Sequence, residues 1–324
     1  MEQSEFPNLS KVRIAIKKFE QLKWPEYEEG QEINKFIEEF NKIVTSELGL
    51  ILNYLMPMKH KEFSFGIFRV REVNSFNNIN LFTEHSYPPP SVTKFGRCNF
   101  PKHPVFYGSN NPITALMEVI RNGNFSGKRF CISSWKINNP EEGLIFENFL
   151  QSDLHPENNF GVLAKAKINK IDEPFKTSSV KISKSQKDGI AEFMKFLDNQ
   201  FISDNNYSFS AALAHRQIFA EHNYNTDILL YPSVQSNMKG VNLAINPNFV
   251  DNHLQLQRCY IVELNSYDLE SGKFNITFFE YGDVIKNQFF WRKLKPEDTK
   301  YQTYFREDFK DYLDKDHKFE FEKK

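Results

Sequence analysis

Phe95-Gly-Arg-Cys-Asn-Phe-Pro-Lys-His-Pro-Val-Phe-Tyr-Gly-Ser-Asn-Asn-Pro-Ile-Thr-Ala-Leu-Met-Glu118-Val119 reads as a turn, a strand and a helix in immediate succession. The turn runs from Gly96 to Pro104, and Val105, Phe106 and Tyr107 form a short buried strand. Asn110 or Asn111 can cap the helix that follows, with Pro112 at its first position. Ala115, Leu116, Val119 and Ile120 give that helix an apolar face, and Glu118 sits on it. A carboxylate without partners costs several kcal/mol to desolvate, so this position asks for a cation or a cleft. Arg97 is a nearby source of positive charge. The alternative is a solvated glutamate beside a surface turn.

Upstream, Phe63–Val70 alternates as a strand and carries Arg69, with Arg71 just beyond it. Tyr87 precedes the stiff run Pro88-Pro89-Pro90. Two amphipathic helices are expected over 9–22 and 31–48, separated by Trp24-Pro25. They make a helical N-terminal arm whose stripe (Ile33, Phe36, Ile37, Phe40) reads as plain core before a partner surface, while the arm as a whole is expected to be a lid or partner surface rather than part of the catalytic body. Downstream, Arg129–Ile137 is a strand and residues 138–185 resist assignment. Helices follow over 187–201 and 208–223. A buried strand over 227–231 runs into Pro232-Ser233, and 241–245 returns as a strand. The runs 254–264 and 273–281, joined at Glu270-Ser271-Gly272, form a hairpin. The tail after Lys293 is charged.

The expected class is α+β, a mixed and mostly antiparallel sheet with flanking helices. The expected division is 1–60 as the arm and 61–255 as the body, with an insertion at about 138–206. Residues 256–324 form the hairpin and tail.

Lys+Arg number 41 and Asp+Glu 42, which removes any global electrostatic case for nucleic acid or anionic membranes. The 33 phenylalanines argue for a well-packed globule. Cys98, Cys131 and Cys259 show neither zinc-ligand spacing nor a disulfide framework. No signal-peptide pattern and no long apolar run is present, so a reducing cytoplasm is expected and the sequons at Asn124 and Asn275 read as chance. Dinucleotide, Walker, metalloprotease and nucleophile-elbow motifs are missing. The histidines do not cluster; His215 and His222 lie seven apart on one expected helix.

Five blocks in this order carry a resemblance. They are Phe68-Arg69-Val70-Arg71; Gly96-Arg97-Cys98-Asn99 through Pro101, Pro104, Tyr107 and Ser109; Thr114-Ala115-Leu116-x-Glu118-Val119; Tyr231-Pro232-Ser233; and Asn242 to Asn246-Pro247. Together they resemble the RES-domain family, over about residues 63–250. The family has an ADP-ribosyltransferase-like fold, and several members are toxins that degrade NAD, some by phosphorolysis, paired with a small DNA-binding antitoxin. The resemblance implies Arg69, Glu118 and Ser233 as catalytic residues. It implies Arg97, Tyr107 and Asn99 as substrate-binding residues, with Arg71 as the rival of Arg69. The family usually has tryptophan or another larger residue where this chain has Cys98. Residues 138–206 and both ends have no counterpart.

On that resemblance the expected reaction is cleavage of the nicotinamide–ribose bond of NAD by phosphate or water. Positive charge builds on the sugar as that bond breaks, and a fixed carboxylate stabilises it. Guanidinium groups suit the pyrophosphate, an aromatic ring suits nicotinamide, and a serine can orient the glutamate. NAD is a substrate rather than a cofactor, inorganic phosphate a possible co-substrate, and no metal is expected. A guanidinium left over from pyrophosphate binding, Arg71 or Arg97, would hold the phosphate, so phosphorolysis is expected to outrun hydrolysis. Partners would be NAD, a cognate antitoxin and a second copy of the chain, with neither nucleic acid nor membrane. Two alternatives stand: transfer of ADP-ribose to a macromolecule, which Leu116 disfavours because such transferases often carry a carboxylate two residues before the catalytic one, and a catalytically silent binding module.

Overall fold

The computed structural model describes residues 6–49, 56–121, 123–150, 154–171, 173, 181–219, 225–268, 273–286, 288–295 and 298–312. Among these the protein is α+β, with nine α-helices and ten strands whose pairings are mostly antiparallel. The chain divides into two compact units, and both are discontinuous in sequence.

The first unit comprises residues 1–58, 89–105 and 143–232. Its helices are α1 (Leu9–Gln21), α2 (Ile33–Leu48), α5 (Gly161–Asn169), α6 (Lys184–Ser203) and α7 (Ser208–Ile218). β5 (Gly143–Asn148) and β6 (Ile228–Pro232) pair in parallel, Phe146 opposite Ile228. The two N-terminal helices form as their spacing predicts, but their stripes are not an open surface. Phe19 stacks on Phe196 at 5.7 Å, and Trp24 meets Phe40 and Phe209 at 5.2 and 4.8 Å. Phe36 and Phe40 are fully buried. The stripe is core, as its spacing favours, and the further expectation that the arm is a lid or partner surface is corrected. The unassigned stretch supplies β5, α5 and a buried ion pair, in which Lys167 Nζ donates to Glu147 and, at 2.7 Å, to the Asn148 carbonyl.

His215 on α7 is buried beside His103, ring to ring at 5.0 Å, and its Nδ1 has no hydrogen-bond partner among the described residues. Burial first, and the neighbouring His103 second, push its pKa down from 6.5 to about 4. The folded form then refuses a proton that the unfolded chain accepts, so stability is intact above pH 6.5 and drains as pH falls towards 4. A loss of up to about 3 kcal/mol across that window is expected from urea midpoints. His215→Phe should flatten this limb; an unchanged acid limb in that variant would assign it to other groups.

The second unit comprises residues 59–88, 106–142 and 233–324. Its strands β2 (Ile67–Glu72), β3 (Phe106–Ser109), β4 (Arg129–Ile137), β7 (Val241–Ile245), β8 (Leu254–Tyr267), β9 (Phe274–Ile285) and β10 (Gln288–Lys293) lie in the order β7-β3-β2-β4-β8-β9-β10, all antiparallel. β1 (Met56–Lys59) straddles the two units in sequence. The hairpin of β8 and β9 forms as expected, while its turn at residues 270–272 lies outside the described residues.

β2 alternates: Phe68 and Val70 face α4 (Pro112–Ile120) and pack with Ile113, Leu116 and Met117, while Arg69 and Arg71 point to the other face. The tail is not merely charged. It folds into α9 (Thr299–Asp308), whose Tyr301 and Phe305, with Phe309 after it, complete the same core. Short helices α3 (Phe82–His85) and α8 (Pro247–His253) finish the unit.

Candidate active site

α4 starts where the sequence places it. Asn111 is the cap, its Oδ1 accepting from Thr114 N at 2.8 Å, while the Asn110 side chain accepts from Val241 N at 2.8 Å. The helix is buried along nearly all its length, and Glu118 near its C-terminal end is only half-buried. It meets donors rather than a cation. Glu118 Oε1 accepts from Ser233 Oγ at 2.6 Å and from Asn242 Nδ2 at 2.7 Å. Neither donor stands alone. Asn242 Oδ1 accepts from Ser109 Oγ at 2.8 Å, and these two residues are direct cross-strand partners on β7 and β3. Ser233 Oγ in turn accepts from Ser236 N at 3.2 Å.

The loop from Ser233 to Gly240 is tightly folded, which fixes Ser233. Met238 N donates to Ser233 O at 2.9 Å, and Ser233 N donates to Gly240 O at 3.0 Å. Asn237 and Met238 have φ of 51° and 60°, a left-handed pair that the loop's own bonds hold in place. Gly240 is required by space: a Cβ there would lie 2.0 Å from Thr114 Oγ1 of α4. One carboxylate oxygen is thus clamped by two buried side chains. The other, Oε2, accepts no hydrogen bond from the described residues.

Among the described residues Arg69 is a cation without a counterion. Nη1 donates to the Tyr107 carbonyl at 2.8 Å, and the guanidinium lies 5.3 Å from the Phe106 ring centre. Nε is buried with no hydrogen-bond partner, and Arg69 has no ion pair among the described residues. Burial, and then the charge of Arg71, lower its pKa to about 10, against a smaller opposing effect of Tyr107. The group stays protonated at neutral pH, and any anion arriving there would relieve it. β2 and β3 are partners only at Phe68 and Ser109, so the Tyr107 carbonyl is left for Arg69 to occupy.

The remaining expected residues are committed elsewhere. Arg71 is paired with Glu84, donates to Ser75 O at 2.7 Å and covers the Phe76 ring at 4.2 Å. Arg97 donates to the Phe201 and Ile202 carbonyls, at 3.2 Å for the latter, and so caps the C-terminal end of α6. Asn99 braces its own turn through the Lys94 and Phe100 carbonyls at 2.8 and 2.9 Å. Tyr107 is half-buried on β3. Glu118 and Ser233 are therefore joined directly, while no hydrogen bond or ion pair links either of them to Arg69, Arg71, Arg97 or Asn99. Leu116, two residues before Glu118, is wholly buried.

Asn242 and Ser109 were not singled out as site residues, although both stand in the matched blocks. Their signal was polarity at strand positions that are otherwise apolar. A cavity of about 710 Å³ in the first unit, lined by Phe6, Lys11, Glu47 and Gln186 among others, contains none of the expected site residues. No family model and no curated protein matches this chain.

Proposed function

We propose that the protein is an enzyme that consumes NAD by cleaving the nicotinamide–ribose bond, built on an ADP-ribosyltransferase-like fold. One observation carries the reading: a half-buried carboxylate on an otherwise apolar helix, with one oxygen clamped by Ser233 and Asn242 and the other open. Such an oxygen has the fixed position and retained charge needed to stabilise an oxocarbenium-like sugar. Two hydrogen bonds to the charged form keep the carboxylate oriented without neutralising it, and orientation fixed in advance lowers the reorganisation needed at the transition state.

Arg69, which the resemblance gives as catalytic, is kept as a separate anion-binding candidate, because its side chain leaves β2 on the face opposite α4 and does not join the Glu118 clamp. Among the described residues no carboxylate competes for its guanidinium, the chemistry that a pyrophosphate would meet. Arg71 and Arg97, the groups expected to hold free phosphate, are occupied by a carboxylate and by helix-end carbonyls. The proposal therefore takes water as the acceptor. Transfer to a macromolecule is disfavoured by the apolar Leu116. Within the same reading the protein is a toxin or defence enzyme of the cytoplasm, with a protein antitoxin as its partner.

The test is product analysis on purified protein with NAD, with and without inorganic phosphate. Free ADP-ribose at a rate indifferent to phosphate is expected. ADP-ribose-1″-phosphate and a rate that rises with phosphate would replace water by phosphate. Arg69→Ala should raise KM for NAD about tenfold or more, the size of one lost charge-assisted contact, whereas Arg71→Ala should act on stability. Unchanged KM in Arg69→Ala would make that arginine a structural group.

A further inference from the structure

His85, Cys131 and Cys259 are far apart in sequence and meet in the second unit. All three are buried, with 1, 1 and 0 % of their surface exposed, and their nearest ligand atoms lie within 4.8 Å of one another. His85 Nδ1 is 3.6 Å from Cys259 Sγ and 3.9 Å from Cys131 Sγ. The ring's other nitrogen, Nε2, is 2.7 Å from the Ile79 carbonyl. A carbonyl can only accept, so Nε2 carries the proton and Nδ1 turns its lone pair towards the two sulfurs. A carbonyl on the far nitrogen is the usual support of a metal-bound imidazole.

We propose that these three side chains bind a zinc ion that pins the segment 73–86 to the sheet. With Zn–S near 2.3 Å and Zn–N near 2.0–2.1 Å, a tetrahedral ion requires sulfur–nitrogen separations of ~3.6 Å, and the two present fall at or close to that value.

The competing chemistry for two adjacent thiols is a disulfide, and the sheet register opposes it. Cys131 is opposite Ile261 and Cys259 is opposite Ser133, so the cysteines are diagonal neighbours on one face. Diagonal α-carbons lie roughly 7–8 Å apart, beyond the ~4.4–6.8 Å that a disulfide spans. Charge selects the ion. Two thiolates and a neutral imidazole cancel a divalent cation, whereas a monovalent one would leave a net charge in a buried site. Arg71, opposite Cys131 on β2, is shared with Glu84 and so offsets such a charge only in part. On binding, the two thiol protons leave to solvent, and a water takes the fourth position.

The pinned segment is also held by Phe82, packed on Trp135 at 5.6 Å, and by Asn80, which accepts from Trp291 Nε1 at 2.8 Å. Phe76 and Phe289 pack on the imidazole at 4.9 and 4.7 Å, and Ser75 and Glu84 hold Arg71. This inference is independent of the NAD reading.

The test uses the full chain, purified from zinc-supplemented medium and passed through a chelator column. The expected result is one zinc per chain by elemental analysis, released together with two newly reactive thiols on denaturation. Cobalt(II) added to stripped protein should give thiolate charge-transfer bands and the intense visible bands of a tetrahedral site. Cys259→Ala should lose both; should that variant fail to fold, the wild-type cobalt titration decides alone. Substoichiometric zinc with no cobalt–thiolate absorption, copper in place of zinc, or the same cobalt spectrum in a folded Cys259→Ala protein would overturn the proposal.

Discussion

Glu118→Gln is expected to lower NAD turnover by roughly 10³-fold, about 4 kcal/mol of transition-state stabilisation, while the protein stays folded. The substitution keeps the shape, and the amide oxygen can still accept from Ser233 and Asn242. Only the negative charge is lost, and that charge is what the developing sugar cation needs. A fall in kcat with KM nearly unchanged is the expected signature, because the charge acts in the transition state rather than on bound NAD. Asn242→Ala should produce a smaller fall, since it frees the carboxylate without discharging it. Turnover near the wild-type rate in a folded Glu118→Gln protein would remove this residue from the mechanism.

Asp308→Ala is expected to cost about 3–5 kcal/mol of stability, read from chemical denaturation. Asp308 ends α9 and accepts four hydrogen bonds. They come from Arg258 Nε at 2.7 Å, Arg258 Nη2 at 3.0 Å, Tyr260 Oη at 2.6 Å and Ser134 Oγ at 3.2 Å. Removal leaves the largely buried Arg258 guanidinium with Glu307, whose side chain is 58 % exposed, as its one remaining carboxylate partner among the described residues. Tyr260, wholly buried, loses its acceptor as well. The burial of Tyr301, Phe305 and Phe309 depends on the same docking. A cost below about 1 kcal/mol, the range of surface ion pairs, would mean that α9 is held by its aromatic side chains alone.

That helix also shows where the sequence was hard to read. Thr299–Asp308 is rich in Lys, Glu, Asp and Arg, and only two of its ten residues are buried. Local composition could not reveal that Asp308 has a buried arginine across the fold. The strands β4 and β7 were legible to the residue: β7 is short and largely apolar, and β4 is marked by Phe130, Ile132, Trp135 and Ile137 and closed by Asn139-Pro140. α4 was legible for another reason: an asparagine cap followed by proline fixes its start.

The N-terminal stripe was legible as core, but its cover was not. Periodicity shows that a face must be buried, not what buries it, and here the cover is Phe196 and Phe209 from helices far along the chain. The candidate site divides in the same way. Glu118 and Ser233 stand out as polar residues in apolar surroundings, and the fold joins them. Arginines carry no such mark, so Arg71 and Arg97 looked like binding groups until their partners, a glutamate and a helix end, were in view. The cysteine–histidine cluster had no spacing signal, since strand register and not sequence proximity assembles it.

The central claim is that this carboxylate cleaves NAD, and one time course tests it most directly. Wild-type and Glu118→Gln proteins, purified identically, are incubated with NAD, and free nicotinamide is separated and quantified. The account predicts stoichiometric release of nicotinamide and loss of NAD with the wild type, and release near the uncatalysed background with Glu118→Gln. Intact NAD after prolonged incubation with folded wild-type protein, or equal release by both, would contradict it.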